Sequence, residues 1–121
     1  MNEKENINKE IDYSKNPKGT KSEDFPNFLE ILEDDTYKIT FRNGDYIVVK
    51  ELKYKKMKSI IDRCKNPEGK LDESALQSML LINSIVYPDG FTENDLDEMK
   101  SGDAMRAFNA LGKVMNIQDF L

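Results

Sequence analysis

The chain has 121 residues, 23 acidic and 18 basic, for a net charge of −5, with no histidine and a single cysteine. That length fits one domain with room for one core. The charge argues against general nucleic-acid binding. Zinc sites of the usual kind, Ser-His-Asp or Cys-His catalysis, and an intramolecular disulfide are excluded for want of residues.

Residues 1–22 are polar, with Ile7, Ile11 and Tyr13 as their only large apolar side chains. Such a stretch buries too little surface to offset its ordering entropy, and it is predicted to be a disordered tail. The alternative is a short helix over 2–13 docked through Ile7 and Ile11. The rest, 23–121, is predicted to be a single domain. Asp24 and Pro26 suit the cap and first turn of a helix, so a two-turn helix is expected over Phe25 to Glu33.

Two strands follow. Thr36 to Phe41 alternates, with Tyr37, Ile39 and Phe41 on one face, and Asp45 to Glu51 contains Tyr46, Ile47, Val48 and Val49. Asn43-Gly44 between them is a strong hairpin signal and predicts a type I′ turn, in which both central residues take positive φ. Tyr54 to Lys65 carries Tyr54, Met57, Ile60, Ile61 and Cys64 at helical spacing, opposite a basic face of Lys55, Lys56, Lys58 and Arg63. Asn66-Pro67-Glu68-Gly69 ends that helix.

Asp72 to Val86 is apolar around most of its circumference, which predicts a helix buried nearly all round, in the core or in part against a second subunit. Tyr87-Pro88-Asp89-Gly90 reads as a turn. Thr92 to Asp95 is a near capping box opening a short helix to about Lys100. Ser101-Gly102-Asp103 is expected to break it. A final amphipathic helix runs from Asp103 to about Asn116, with Ile117, Phe120 and Leu121 trailing it. The fold class expected is therefore α+β and mostly helical, with one N-terminal β-hairpin packed on a bundle of about four helices.

No phosphate-loop or dinucleotide motif occurs. The acidic run at Asp95, Asp97 and Glu98 fails as a calcium loop, because counting from Asp95 puts Lys100 at the glycine position and Arg106 at the bidentate glutamate position. No cofactor or metal is predicted. A hydrolase built on paired carboxylates would need a cleft holding a carboxylate of raised pKa. No signal sequence is visible before Ser22, and the longest apolar cluster, Met79 to Ile82, is too short to span a bilayer. The expected location is cytoplasmic.

From Tyr37 onward the chain resembles the tail assembly chaperones of long-tailed phages and phage-like elements. The resemblance rests on the order of the hairpin from Ile39 to Val49, Lys50-Glu51-Leu52 and its helix, and the apolar helix ending Leu81-Ile82-Asn83-Ser84-Ile85-Val86-Tyr87-Pro88. Phe91-Thr92-Glu93-Asn94-Asp95-Leu96 and Gly102-Asp103-Ala104-Met105 with the terminal helix complete it. It implies a non-enzymatic protein that binds and solubilises the tape measure protein and helps recruit tail tube subunits. Candidate partner-binding residues are Met105, which lies off its helix's apolar stripe, and the trailing Ile117, Phe120 and Leu121. Basic Lys55, Lys56 and Lys58 and acidic Asp95, Asp97 and Glu98 are candidates for self-association, with opposite faces of neighbouring copies meeting head to tail. A second reading is a small nucleic-acid-associated regulator using the basic helix at 53–65.

Overall fold

The computed structural model describes residues 11–33 and 35–117. Four strands form one antiparallel sheet in the order β1 (Leu29–Glu33), β2 (Thr36–Thr40), β3 (Tyr46–Lys50), β4 (Ile85–Tyr87). Between β3 and β4 the chain makes two helices, α1 (Tyr54–Arg63) and α2 (Glu73–Ser84). After β4 come the short α3 (Glu93–Asp97) and α4 (Ser101–Val114).

The fold is α+β, but the expected hairpin on a four-helix bundle is incorrect: a four-stranded sheet stands at the centre. The predicted helix over Phe25 to Glu33 is absent. Asp24 and Pro26 instead sit in two successive turns, closed by Phe25 N–H to Ser22 O and Leu29 N–H to Pro26 O. The chain then enters β1, which pairs Leu29 with Ile39 and Ile31 with Tyr37, and its register shifts between Ile31 and Glu33. Likewise the apolar run from Asp72 is not one helix to Val86. It turns extended at Ile85 and pairs Ile85 with Val49 and Tyr87 with Val48. Each segment is short and apolar enough for either structure, and pairing with a neighbouring strand decides.

The hairpin is where Asn43-Gly44 puts it, with Thr40 opposite Tyr46, but the turn differs. Gly44 has φ +95° while Asn43 stays at negative φ. Gly44 N–H donates to Phe41 O at 3.0 Å and Phe41 N–H to Asp45 O at 2.7 Å. This is a three-residue loop closed by a left-handed glycine, which needs one positive φ rather than two.

Cross-strand partners share a face, so the register sorts the sheet's two sides. Leu29, Ile31, Tyr37, Ile39, Ile47, Val49 and Ile85 point inward to the core. Ile60 and Cys64 of α1, Leu80 and Leu81 of α2, Leu96 of α3, and Ala107, Phe108, Ala110, Leu111 and Val114 of α4 complete that core. Leu80 and Leu81 are fully covered, whereas Ala75, Leu76, Met79 and Ile82 are only half-buried. The expectation that α2 is buried nearly all round is thus corrected: one flank stays partly open.

The opposite face carries Glu30, Lys38, Tyr46, Val48 and Tyr87. It is covered by residues 11–20, which include one turn of 3-10 helix at Tyr13–Lys15. The predicted disordered tail includes this segment; over 11–20 the chain lies on the sheet and ends in a bridge between Thr20 and Ile31. Residues 1–10, and with them most of the alternative helix over 2–13, lie outside the described residues.

Local chemistry accounts for the helix boundaries. Asp72 caps α2 by accepting from Ala75 N–H at 3.1 Å. Thr92 and Asp95 form a reciprocal capping box on α3, the arrangement expected from their spacing. Ser101 and Gly102, expected to break a helix, instead begin α4. The Arg42 guanidinium lies beside Gly102, and a Cβ there would displace the end of that exposed side chain.

Candidate functional site

Those predicted partner-binding residues that are described fall on three separate surfaces. Met105 is 51% exposed on α4, on the side that also exposes Asn109 and Lys113. The opposite side of that helix supplies Ala107, Phe108, Ala110 and Leu111 to the core. The position of Met105 off the apolar stripe is therefore a real feature of the helix. Ile117 is half-buried, packs on the core and donates its N–H to Gly112 O at 2.8 Å. It folds back rather than projecting. Phe120 and Leu121 lie outside the described residues.

Lys55, Lys56 and Lys58 are exposed in the first turns of α1, after Lys53 at the N-cap. That cap makes no side-chain hydrogen bond, and the first turn has no acidic residue. Cations at the positive end of a helix oppose its dipole, so this arrangement costs stability locally. Tyr54, 69% exposed, stands among them, with Lys58 Nζ 5.7 Å from its ring centroid. α1 keeps its place through Ile60 and Cys64, both buried, and through Cys64 Sγ, 3.6 Å from Met79 Sδ of α2. Burial raises the Cys64 thiol above its ordinary pKa, and the nearby Asp72 charge acts in the same direction. This thiol is a core group and not a reactive one.

The acidic trio is split in role. Asp95 Oδ2 accepts from Thr92 N–H at 2.8 Å and from Thr92 Oγ1 at 3.0 Å, so that carboxylate is occupied by the cap. Asp97 and Glu98 are exposed.

A cleft that the sequence gives no sign of opens between the hairpin loop and the segment from β4 to α4. It measures about 400 Å³ and is walled by Phe41, Ile47, Tyr87, Pro88, Phe91 and Met99. Its rim holds Asp45 and Asp103. Both carboxylates are engaged: Asn43 Nδ2 donates to Asp45 Oδ2 at 3.0 Å, and Arg42 Nε lies 3.9 Å from Asp103 Oδ1. Lys100 stands beside Arg42 and Asp103 on the adjoining surface. The rim is thus close to neutral. Only the apolar wall distinguishes the cleft, and its residues come from three distant stretches of sequence, each of which reads locally as core.

Among the described residues no group of acidic, cysteine or histidine side chains is placed to hold a metal ion, and no helix is long and apolar enough to cross a membrane. No protein-family model, curated protein or solved structure matches the chain.

Proposed function

We propose that this chain works by binding another polypeptide, with no bond-making chemistry of its own. On the resemblance from Tyr37 onward, it is a tail assembly chaperone acting in the host cytoplasm. Its client is the tape measure protein, it helps recruit tail tube subunits, and it associates with itself. The observation that supports a binding role is the incomplete covering of its helices. α2 leaves Ala75, Leu76, Met79 and Ile82 half-open, and α4 presents Met105 to solvent. Methionine side chains adapt to varied apolar partners, as a client with many similar helices demands.

A test is to replace Met105→Asp and co-express the variant with a tape measure protein. Because Met105 is half-exposed, the variant keeps its stability within about 0.5 kcal/mol. The reading expects the soluble fraction of the client to fall. A client as soluble with the variant as with the parent chain would count against α4 as the client surface.

The basic start of α1 favours a second reading. Exposed Tyr54 among Lys53, Lys55, Lys56 and Lys58 has the aromatic and cationic character of a nucleic-acid contact. Salt separates the two readings: nucleic-acid binding weakens steeply as salt rises, and an apolar client contact does not.

A further inference from the structure

We infer that residues 12–20 form a strap that opens from the sheet as a unit while the core stays folded, and that its opening uncovers a strip made of Lys38, Tyr46, Val48 and Tyr87.

The strap makes hydrogen bonds to three strands in turn and sets a charge near the fourth. At one end Asp12 lies near Tyr87 of β4. Burial raises the Tyr87 phenol above its ordinary pKa, and the Tyr46 phenol and the Asp12 charge add to that rise. Next, Tyr46 Oη of β3 donates to Tyr13 O at 2.5 Å and accepts from Asn16 N–H at 2.8 Å. On β2, Lys38 Nζ donates to Asn16 Oδ1 and to Pro17 O, the latter at 3.1 Å. At the far end Thr20 and Ile31 of β1 exchange two backbone hydrogen bonds, each 2.8 Å. Asn16 takes φ +53° to turn the chain between these contacts. Gly19 allows the close approach to β1, since a Cβ there would stand 2.5 Å from Ile31 O. These are features of a fitted segment.

The fit is nevertheless polar. None of the side chains of residues 11–20 is fully buried, and none packs on the core. Opening the strap therefore costs hydrogen bonds that water can replace and the apolar area of the strip beneath it, chiefly Val48, while leaving the core covered. What lies beneath is different. Val48 has no exposed surface, yet it stands outside the core cluster because it faces the strap. Tyr46 and Tyr87 stack with centroids 5.3 Å apart, and Lys38 Nζ sits 4.9 Å from the Tyr46 centroid. The Lys38 side chain is 9% exposed, and beyond the strap its anionic neighbour is Glu30, 4.0 Å away. The occupant of this sheet face is the chain's own strap. Segments held by solvent-replaceable hydrogen bonds and few apolar contacts open at lower free energy than the core.

Native-state hydrogen exchange on the full chain tests this, read at the amides of Asn16 and Thr20 in the strap and of Ile39, Ile47 and Val49 in the core. The strap amides should exchange at least about tenfold faster than the core amides. Gly19→Ala forces the strap off Ile31 O. It should speed strap exchange and tryptic cleavage after Lys15 and Lys18 by about tenfold. Lys38→Met, which removes the ammonium but keeps the aliphatic stem, should act on the strap in the same direction. Ile60→Val weakens the core without touching the strap, and should speed core exchange about fivefold while leaving strap exchange unchanged. Equal exchange in strap and core, or an Ile60→Val variant that speeds both in proportion, would make the strap part of the cooperative core and overturn the inference. So would a Gly19→Ala variant that leaves strap exchange unchanged.

Discussion

Arg106 ties α4 to the end of β2, and its removal has a definite cost. Its Nη1 donates to Thr40 O at 2.9 Å, and its guanidinium lies 4.3 Å from the Phe28 ring centroid. A half-buried hydrogen bond from a charged donor contributes about 1.5 kcal/mol. A partly desolvated cation–π contact adds about 1 kcal/mol. Arg106→Ala should therefore cost about 2–3 kcal/mol, equivalent to a fall in Tm of roughly 10 °C for a domain of this size. Arg106→Lys keeps the charge but loses the planar fork, and should recover only part of that loss. Urea denaturation of the two variants, of Phe28→Leu and of the double variant gives the coupling directly. It should be about 0.5–1 kcal/mol between Arg106 and Phe28. An Arg106→Ala variant within about 0.5 kcal/mol of the parent, with no coupling to Phe28, would refute this account of how α4 meets β1 and β2.

Leu81 has no exposed surface, so Leu81→Ala should destabilise by about 3–4 kcal/mol in the same urea assay. Thr92→Ala breaks the reciprocal cap on α3 and should cost about 1 kcal/mol, visible as a lower urea midpoint with an unchanged slope. Tyr13 and Tyr87 are both raised above the ordinary tyrosine pKa of 10.0, chiefly by burial. The folded state thus favours their neutral forms. The stabilisation this brings is fully present below pH about 10 and is lost as pH rises through the higher folded values. Ultraviolet titration of the parent chain beside Tyr13→Phe and Tyr87→Phe should show that each substitution removes a phenol that ionises late.

The parts of the fold legible in the sequence are those set by local chemistry. Asn43-Gly44 marks the hairpin, and the Thr92 to Asp95 spacing marks the cap. The Tyr54 to Cys64 periodicity marks α1, and Met105 stands visibly off its apolar stripe. The rest depends on distant partners. β1 hides behind Asp24 and Pro26, which suit a helix start as well as they suit turns, and its alternation is interrupted by the register shift before Glu33. β4 hides in the apolar tail of α2, because Ile85 and Val86 continue a helical pattern until pairing of Ile85 with Val49 and of Tyr87 with Val48 draws the segment into the sheet. The strap is polar and reads as a tail. Its order comes from Lys38 and Tyr46, more than twenty residues away. The cleft was illegible for the same reason: Phe41, Tyr87 and Met99 meet only once the sheet is assembled.

The central claim is that this molecule acts by holding another polypeptide. Co-expression of the full chain with a tape measure protein, followed by sizing of the soluble fraction, tests it most directly. The account predicts a single soluble complex containing both chains, formed with a client that precipitates when expressed alone. A client that stays insoluble, beside a folded chain that elutes without it, would contradict the account.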